Sequence, residues 1–192
     1  MSKSTVIGDA TKTLKELLQN KQLPEFEPQF TVSLKSPKDE KDEISPKINL
    51  FLYQVLEDPY AKNLKERALN SGERQRTHLA LNLFYLVTPF SSDILNQHQI
   101  IGEAMRILYD YAIVDGPLLG GGLEGTFLDI KLALCPLNLE ELTRIWYALQ
   151  TPYRISVCYK ARILRIDSSD IRKTGRVIKK ELQFSNKEEA GA

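Results

Sequence analysis

Two stretches of strict two-residue alternation constrain this chain more than anything else in it. Between His78 and Thr88, Leu79, Leu81, Leu83, Tyr85 and Val87 fall on one side of an extended backbone. Between Tyr153 and Ile166, Tyr153, Ile155, Val157, Tyr159, Ala161 and Ile163 alternate with Arg154, Ser156, Lys160 and Arg162. A period of two puts apolar residues on one face of a strand and all round a helix, so both stretches are expected as strands. The second exceeds the usual strand length of about 3–10 residues and is expected to outrun its sheet. Its apolar phase shifts at Leu164 and Ile166, which predicts a bulge or bend. Pro89 ends the first.

The remaining segments read as elements around these two. Residues 4–20 carry Val6, Ala10, Leu14, Leu17 and Leu18 at helical spacing, and Pro24 and Pro28 forbid continuation. A short strand is expected over 29–34, with Phe30, Val32 and Leu34 on one face. Lys35–Lys47 (KSPKDEKDEISPK) reads as a solvated loop. Ile48–Leu56 is expected as a central strand, because Ile48, Leu50, Leu52 and Leu56 make one apolar face and Phe51, Tyr53 and Val55 the other. Asp58–Ser71 reads as a polar excursion with partial helix.

Asp93 is positioned to cap a helix over 93–109, with Ile94, Ile101, Met105 and Leu108 as its stripe and Leu95, Ala104 and Tyr109 widening it. Leu118–Gly125 (LLGGGLEG) reads as a flexible connection. A strand follows over 127–134. Asn138 with Glu141 forms a capping box for a helix whose stripe is Leu139, Leu142, Ile145, Trp146 and Leu149. Gly175–Phe184 is a last possible strand. The fold class is therefore α+β: a mixed, mainly antiparallel sheet of about five strands with helices packed on one face.

Composition closes several doors. With 192 residues, 42% hydrophobic and 27% charged, the chain is ordinary globular material. Its formal net charge of +1 makes nucleic acid a poor partner. No run approaches the ~18 apolar residues of a membrane span, so no membrane partner is expected. Cys135 and Cys158, the two cysteines, lack a CxxC and a nearby His, and read as small buried hydrophobes in a reducing compartment. No metal is expected, because ligands at close spacing are missing. No HExxH, GxSxG or GxxxxGK[ST] occurs. Gly120–Gly122 lacks the following Lys-Ser or Lys-Thr of a phosphate loop. His78 and His98 have no partners in sequence and read as structural. Catalytic residues and cofactors are accordingly expected to be none. With no apolar leader segment at the N-terminus, synthesis and folding in the cytoplasm are expected.

The charge is unevenly split. Residues 160–192 hold nine basic and five acidic residues, net +4, which leaves −3 for residues 1–159. One explanation is a sheet edge protected by Lys and Arg. The other is an extended arm that adds a strand to a partner's sheet. The chain is read as a core domain, 1–168, and a basic C-terminal arm, 169–192, partly disordered when free.

Four segments, in order, carry a resemblance: INLFLYQV (Ile48–Val55), LALNLFYLVTPF (Leu79–Phe90), HQIIGEAMRILYD (His98–Asp110) and LEELTRIWYALQTPYRISVCYKARILRIDS (Leu139–Ser168). Together they resemble the cap, or tail-terminator, proteins of extracellular contractile injection systems of the antifeeding-prophage and Photorhabdus virulence cassette type. The resemblance implies a ring-forming structural protein without enzymatic activity. Such a ring, expected as a homo-hexamer, closes the baseplate-distal end of the inner tube and contractile sheath and stops their polymerisation. It implies the sheath protein and inner tube protein as partners, the tape-measure protein as a further one, and a particle assembled in the cytoplasm and released outside the cell. Two other readings fit: a terminator or connector of a phage tail or other contractile system, and, from another class, a small enzyme or ligand-binding module without a recognisable motif.

Two candidate interfaces follow. A closed ring needs one patch to meet a different patch on its neighbour, and Phe51, Tyr53 and Val55 supply surplus apolar strand surface for it. Sheath subunits of contractile tails are generally linked by exchanged strands. The expected sheath-facing residues are Arg172, Lys173, Arg176, Val177, Ile178, Lys179, Lys180, Leu182 and Phe184.

Overall fold

The computed structural model describes residues 5–59, 67–70, 73–75, 79–125, 129–166 and 171–173, the strand residues 67–70, 73–75, 163–166 and 171–173 by backbone only. Among them the chain forms three α-helices: α1 (Val6–Asn20), α2 (Ile94–Asp110) and α3 (Leu139–Ala148). The strands are β1 (Thr31–Ser33), β2 (Lys47–Glu57), β3 (Arg67–Asn70), β4 (Glu73–Gln75), β5 (Leu79–Phe90), β6 (Ile113–Val114), β7 (Ile130–Cys135), β8 (Val157–Ile166) and β9 (Ile171–Lys173). One sheet of six strands runs β1-β2-β5-β8-β7-β6, and a three-stranded sheet runs β3-β4-β9. Every pairing is antiparallel except β1 with β2. The mixed, mainly antiparallel α+β architecture is thus as the sequence indicates, with one more strand in the main sheet.

The alternating strands form its centre. Leu81, Leu83, Tyr85 and Val87 of β5 pack with Ile48 and Leu50 of β2, Tyr159 and Ala161 of β8, and Ile130 and Leu132 of β7. Val6, Ala10, Leu14, Leu17 and Leu18 of α1 and Ile100, Ala104, Ile107 and Leu108 of α2 cover that face. The Tyr85 hydroxyl stays satisfied inside this core by a 2.8 Å hydrogen bond with Thr11 Oγ1.

The charged run 35–47 has a topological role that its composition conceals. Parallel neighbours need a crossover of about a dozen residues, and residues 34–46 make it between β1 and β2. No α-helix fills this crossover, only a 3-10 turn at Pro37–Asp39. Several of its charges are paired or docked, while most of the run stays exposed. Lys47 Nζ lies 2.8 Å from Glu43, Arg154 Nη2 lies 2.5 Å from Asp42, and Lys38 Nζ donates to Gln150 at 3.2 Å. Asn49 Nδ2, fully buried on the sheet face away from α1 and α2, donates to the Lys35 carbonyl at 2.9 Å.

The glycine segment is likewise packed rather than loose. Leu119 and Leu123 are buried in the core, and the backbone between them lies on α1, where Gly120 N–H donates to Thr13 Oγ1 at 3.0 Å. A Cβ on Gly121 would stand 2.7 Å from Asp9 Oδ1, and its φ of +62° is left-handed. The Asp9 carboxylate, at the end of a short flexible side chain, can swing aside, so it is the backbone conformation that calls for glycine.

A buried carboxylate ties the α1–β1 connection to α2. Glu103 accepts from the Leu23 N–H at 3.1 Å and from Arg106 at 2.7 and 2.8 Å. Arg106 also donates to the Lys21 carbonyl and to Asp110. The outer edge of β1 is closed by the end of α1 and the residues just after it: Gln19 and Gln22 each accept from, and donate to, the backbone of Phe30 or Val32 at 2.9–3.2 Å.

Two outcomes follow. Gly121→Ala should cost about 1–2 kcal/mol in denaturant unfolding, because the left-handed conformation is strained for alanine. Glu103→Gln should cost about 2 kcal/mol, since it unmakes charge-assisted hydrogen bonds. The Arg106 hydrogen bonds hold the Glu103 carboxyl below the usual carboxylate range. Its contribution is therefore present above the unfolded value of about 4.3 and lost as pH falls below it. Unfolding of the variant should show a correspondingly weaker acid dependence.

Candidate assembly interface

β8 starts at Val157, later than the expected Tyr153, and does not outrun its sheet: it stays paired with β5 to its last described residue, Ile166. β5 and β8 pair from Val87↔Val157 to Leu79↔Ile166, and a separate ladder runs from Gln75↔Ile171 to Glu73↔Lys173 between β4 and β9. β4 and β9, with β3 beside β4, make a sheet of their own. The register shifts where Leu79↔Ile166 gives way to Leu81↔Ile163, at the phase break in the sequence. The expected partial helix over 58–71 is not what residues 67–70 form: they are strand β3. A residue pattern without clear periodicity gave no warning of it.

Of the basic arm, Arg172 and Lys173 lie on β9, paired with Arg74 and Glu73 of β4. Arg176, Val177, Ile178, Lys179, Lys180, Leu182 and Phe184 fall outside the described residues. Within β8, Arg162 is already paired: its Nε stands 2.7 Å from the Asp58 carboxylate, which is 3% exposed. Part of the basic surplus is thus used inside the fold.

Phe51, Tyr53 and Val55 do not share a face. A bulge lies between Leu52, opposite Tyr85, and Gln54, opposite Phe84. Directly opposed residues point the same way, so Phe51, opposite Leu86, stays on the face away from α1 and α2, while Val55, opposite Leu83, is turned to the helix side. The inserted residue is Tyr53, whose ring is tilted against Phe84 at 6.3 Å. Its hydroxyl is engaged by Cys158 Sγ at 3.0 Å, and burial raises its pKa. Phe51 and Tyr53 are half-buried, and Val55 is 41% exposed.

An apolar surface lies at the end of the main sheet opposite the Leu79↔Ile166 pair. Here β2 begins, β5 ends, α3 follows β7, and β8 begins. The Ser92 N–H donates to the Glu43 carbonyl at 3.1 Å, Arg154 meets Asp42, and the Arg154 guanidinium sits 4.6 Å from the Phe90 ring centroid. These contacts gather the crossover, the start of α2 and the α3–β8 linker. On this end Ile44 is 90% exposed, Ile94 67%, Leu95 69% and Tyr147 85%; Leu139, Tyr153 and Ile155 are exposed beside them. A groove of about 560 Å³ lined by Tyr147, Ala148, Gln150, Thr151 and Pro152 opens on it.

Helical periodicity had assigned Ile94, Leu95, Tyr109 and Leu139 to core stripes, but all four are more than half exposed. The face that α2 buries is instead Ile100, Ile101, Glu103, Ala104, Ile107 and Leu108. In α3 only Trp146 is fully buried; its indole N–H donates to Ser156 Oγ at 3.2 Å and its ring meets Tyr153 edge-on. Periodicity reports apolar character, and a helix with apolar residues outside its packed stripe has more such surface than the monomer covers. The capping box at Asn138 and Glu141 is present, with both bonds at 2.9 Å.

Among the described residues no group of three or more His, Cys, Asp or Glu side chains is placed to hold a metal ion. No helix among them is long and apolar enough to cross a membrane. His98 is exposed; His78 lies outside the described residues. The surface that stands out among the described residues is the exposed apolar end.

Solved structures with this fold include the sheath/tube terminator of the extracellular contractile injection system PVC, seen by cryo-EM in the extended state. That likeness has a TM-score of 0.64 at 16% identity and covers 100% of this chain and 67% of that one. The cryo-EM structure of the anti-feeding prophage cap, a tube terminating cap, matches with a TM-score of 0.55 at 17% identity, over 97% of this chain and 62% of that one. The chain thus spans about two thirds of the length of the structures it matches. No curated protein sequence matches it. The family model described as the Pvc16 N-terminal domain matches residues 9–180. The chain belongs to the Pvc16 N-terminal domain family.

Proposed function

We propose that the chain is a structural cap that terminates the inner tube and contractile sheath of an extracellular contractile injection system. The observation that carries this reading is the likeness over the full chain to a sheath/tube terminator, with a TM-score of 0.64. The surface supports it. Ile44, Ile94, Leu95 and Tyr147 present apolar area at one end that the monomer leaves uncovered, as expected of a subunit that is completed by neighbours. The finer proposals are a homo-hexameric ring, contact with the sheath and inner tube proteins, retention of the last sheath layer, contact with the tape-measure protein, and assembly in the cytoplasm before release. The role is non-enzymatic. Core and arm divide at 168/169, and residues 169–192 supply the sheath contact.

In this ring the apolar end seats against tube or neighbouring subunits, and residues 169–192 meet the sheath. The β1 edge, closed by Gln19 and Gln22, takes no added strand.

Particles made with the Tyr147→Asp variant test the reading. Tyr147 is 85% exposed, so unfolding should shift by no more than about 0.5 kcal/mol, while particle ends go uncapped and tube lengths spread. Normal length distributions with a doubly charged end (Leu95→Asp, Tyr147→Asp) would contradict it. Truncation after Lys173 should leave a folded body and capped tubes from which the terminal sheath layer detaches.

A further inference from the structure

The two cysteines, 23 residues apart in sequence, are neighbours in space. Cys135 of β7 and Cys158 of β8 are directly opposed in the antiparallel register, with Ala133↔Lys160 as the next pair on the same face. Directly opposed antiparallel residues have Cα atoms about 4.5 or 5.5 Å apart, and disulfides span about 4.4–6.8 Å. Both thiols are free, and Tyr53 Oη lies 3.0 Å from Cys158 Sγ. Three groups from β2, β7 and β8 thus meet on the sheet face away from α1 and α2.

We propose that Cys135 and Cys158 form a reversible cross-strand disulfide when the protein meets a small-molecule disulfide oxidant such as glutathione disulfide. Access sets the order of events. Cys135 is half-buried, whereas Cys158 is 2% exposed and burial pushes its thiol up to about 12. The Cys135 thiolate attacks one sulfur of glutathione disulfide. That S–S bond breaks, a Cys135–glutathione mixed disulfide forms, and glutathione thiolate leaves and takes a proton. Cys158 then attacks the Cys135 sulfur, expels the second glutathione thiolate and gives up its proton to it. Two protein thiols and one glutathione disulfide become one protein disulfide and two glutathione thiols. Once oxidised, the Cys158 sulfur can only accept, so the Tyr53 hydroxyl becomes the donor of their hydrogen bond.

The bond would clamp both feet of the excursion that carries α3 and the linker to β8, and with it the exposed Leu139, Tyr147, Tyr153 and Ile155. A particle part that folds among thiols and works outside would stiffen its assembly end on leaving. The disulfide itself follows from the register and stands independently of the terminator reading.

The test holds the purified chain in glutathione redox buffers, blocks remaining thiols by alkylation and maps peptides without reduction. The expected result is a Cys135–Cys158 peptide within one chain, no alkylatable thiol, and a melting temperature raised by about 5–10 °C that returns on reduction. Cys135→Ser, at a half-buried position, should fold and show no such rise. Recovery of both thiols free, of Cys135 held only as the glutathione mixed disulfide, or of disulfides between chains alone would overturn the proposal.

Discussion

Strand β5 pairs with β2 on one side and β8 on the other, and this double pairing decides where everything else in the molecule can go. Its residues are almost all buried, on both faces, from Ala80 to Phe90. Antiparallel partners on either side satisfy its backbone throughout, which a strand with so little solvent contact requires. One face then offers Leu81, Leu83, Tyr85 and Val87 to α1 and α2. The other, with Leu86, Thr88 and Phe90, is covered at the end where the crossover and the α3–β8 linker meet.

The two ends of this ribbon have different fates. At one, the β5–β8 ladder ends at Leu79↔Ile166, and the chain before β5 and after β8 contributes β4 and β9 to the separate three-stranded sheet. At the other, three connections crowd together and are tied by ion pairs such as Arg154–Asp42. Those pairs neutralise the charged crossover locally and leave the apolar residues beside it facing water. An end whose charges are satisfied internally and whose Ile44, Leu95 and Tyr147 are not is suited to a dry interface. The edges of the main sheet are less inviting, since Gln19 of α1 and Gln22 just beyond it close β1 and β6 has two residues.

Much of the scaffold could be read from residues. The alternations at 79–87 and 157–163 placed the central ribbon, the phase break at Leu164 placed its bulge, and Asn138 with Glu141 placed the cap of α3. Misreadings came where a local signal has two physical outcomes. The apolar character of Ile94, Leu95 and Leu139 is the same in a core and at an interface, and only the three-dimensional packing separates them. The bulge that turns Val55 to the helix side leaves no mark on the β2 pattern, because both faces of that strand are apolar. The acids and bases of 35–47 look solvated until the parallel pairing of β1 and β2 makes them a crossover with partners. The glycines at 120–122 look loose until Asp9 and Thr13 of α1 come against them. The adjacency of Cys135 and Cys158 is a matter of register, which spacing alone does not give.

We propose that this fold is one subunit of a terminating ring whose contacts use the apolar end of the sheet. Imaging the baseplate-distal end of intact particles that contain this chain tests it most directly. The account predicts a closed ring of density into which the six-stranded sheet fits, with Ile44, Ile94, Leu95 and Tyr147 buried against a neighbouring subunit or the tube. Particles whose distal end lacks the chain, or a ring in which that apolar end faces solvent, would contradict it.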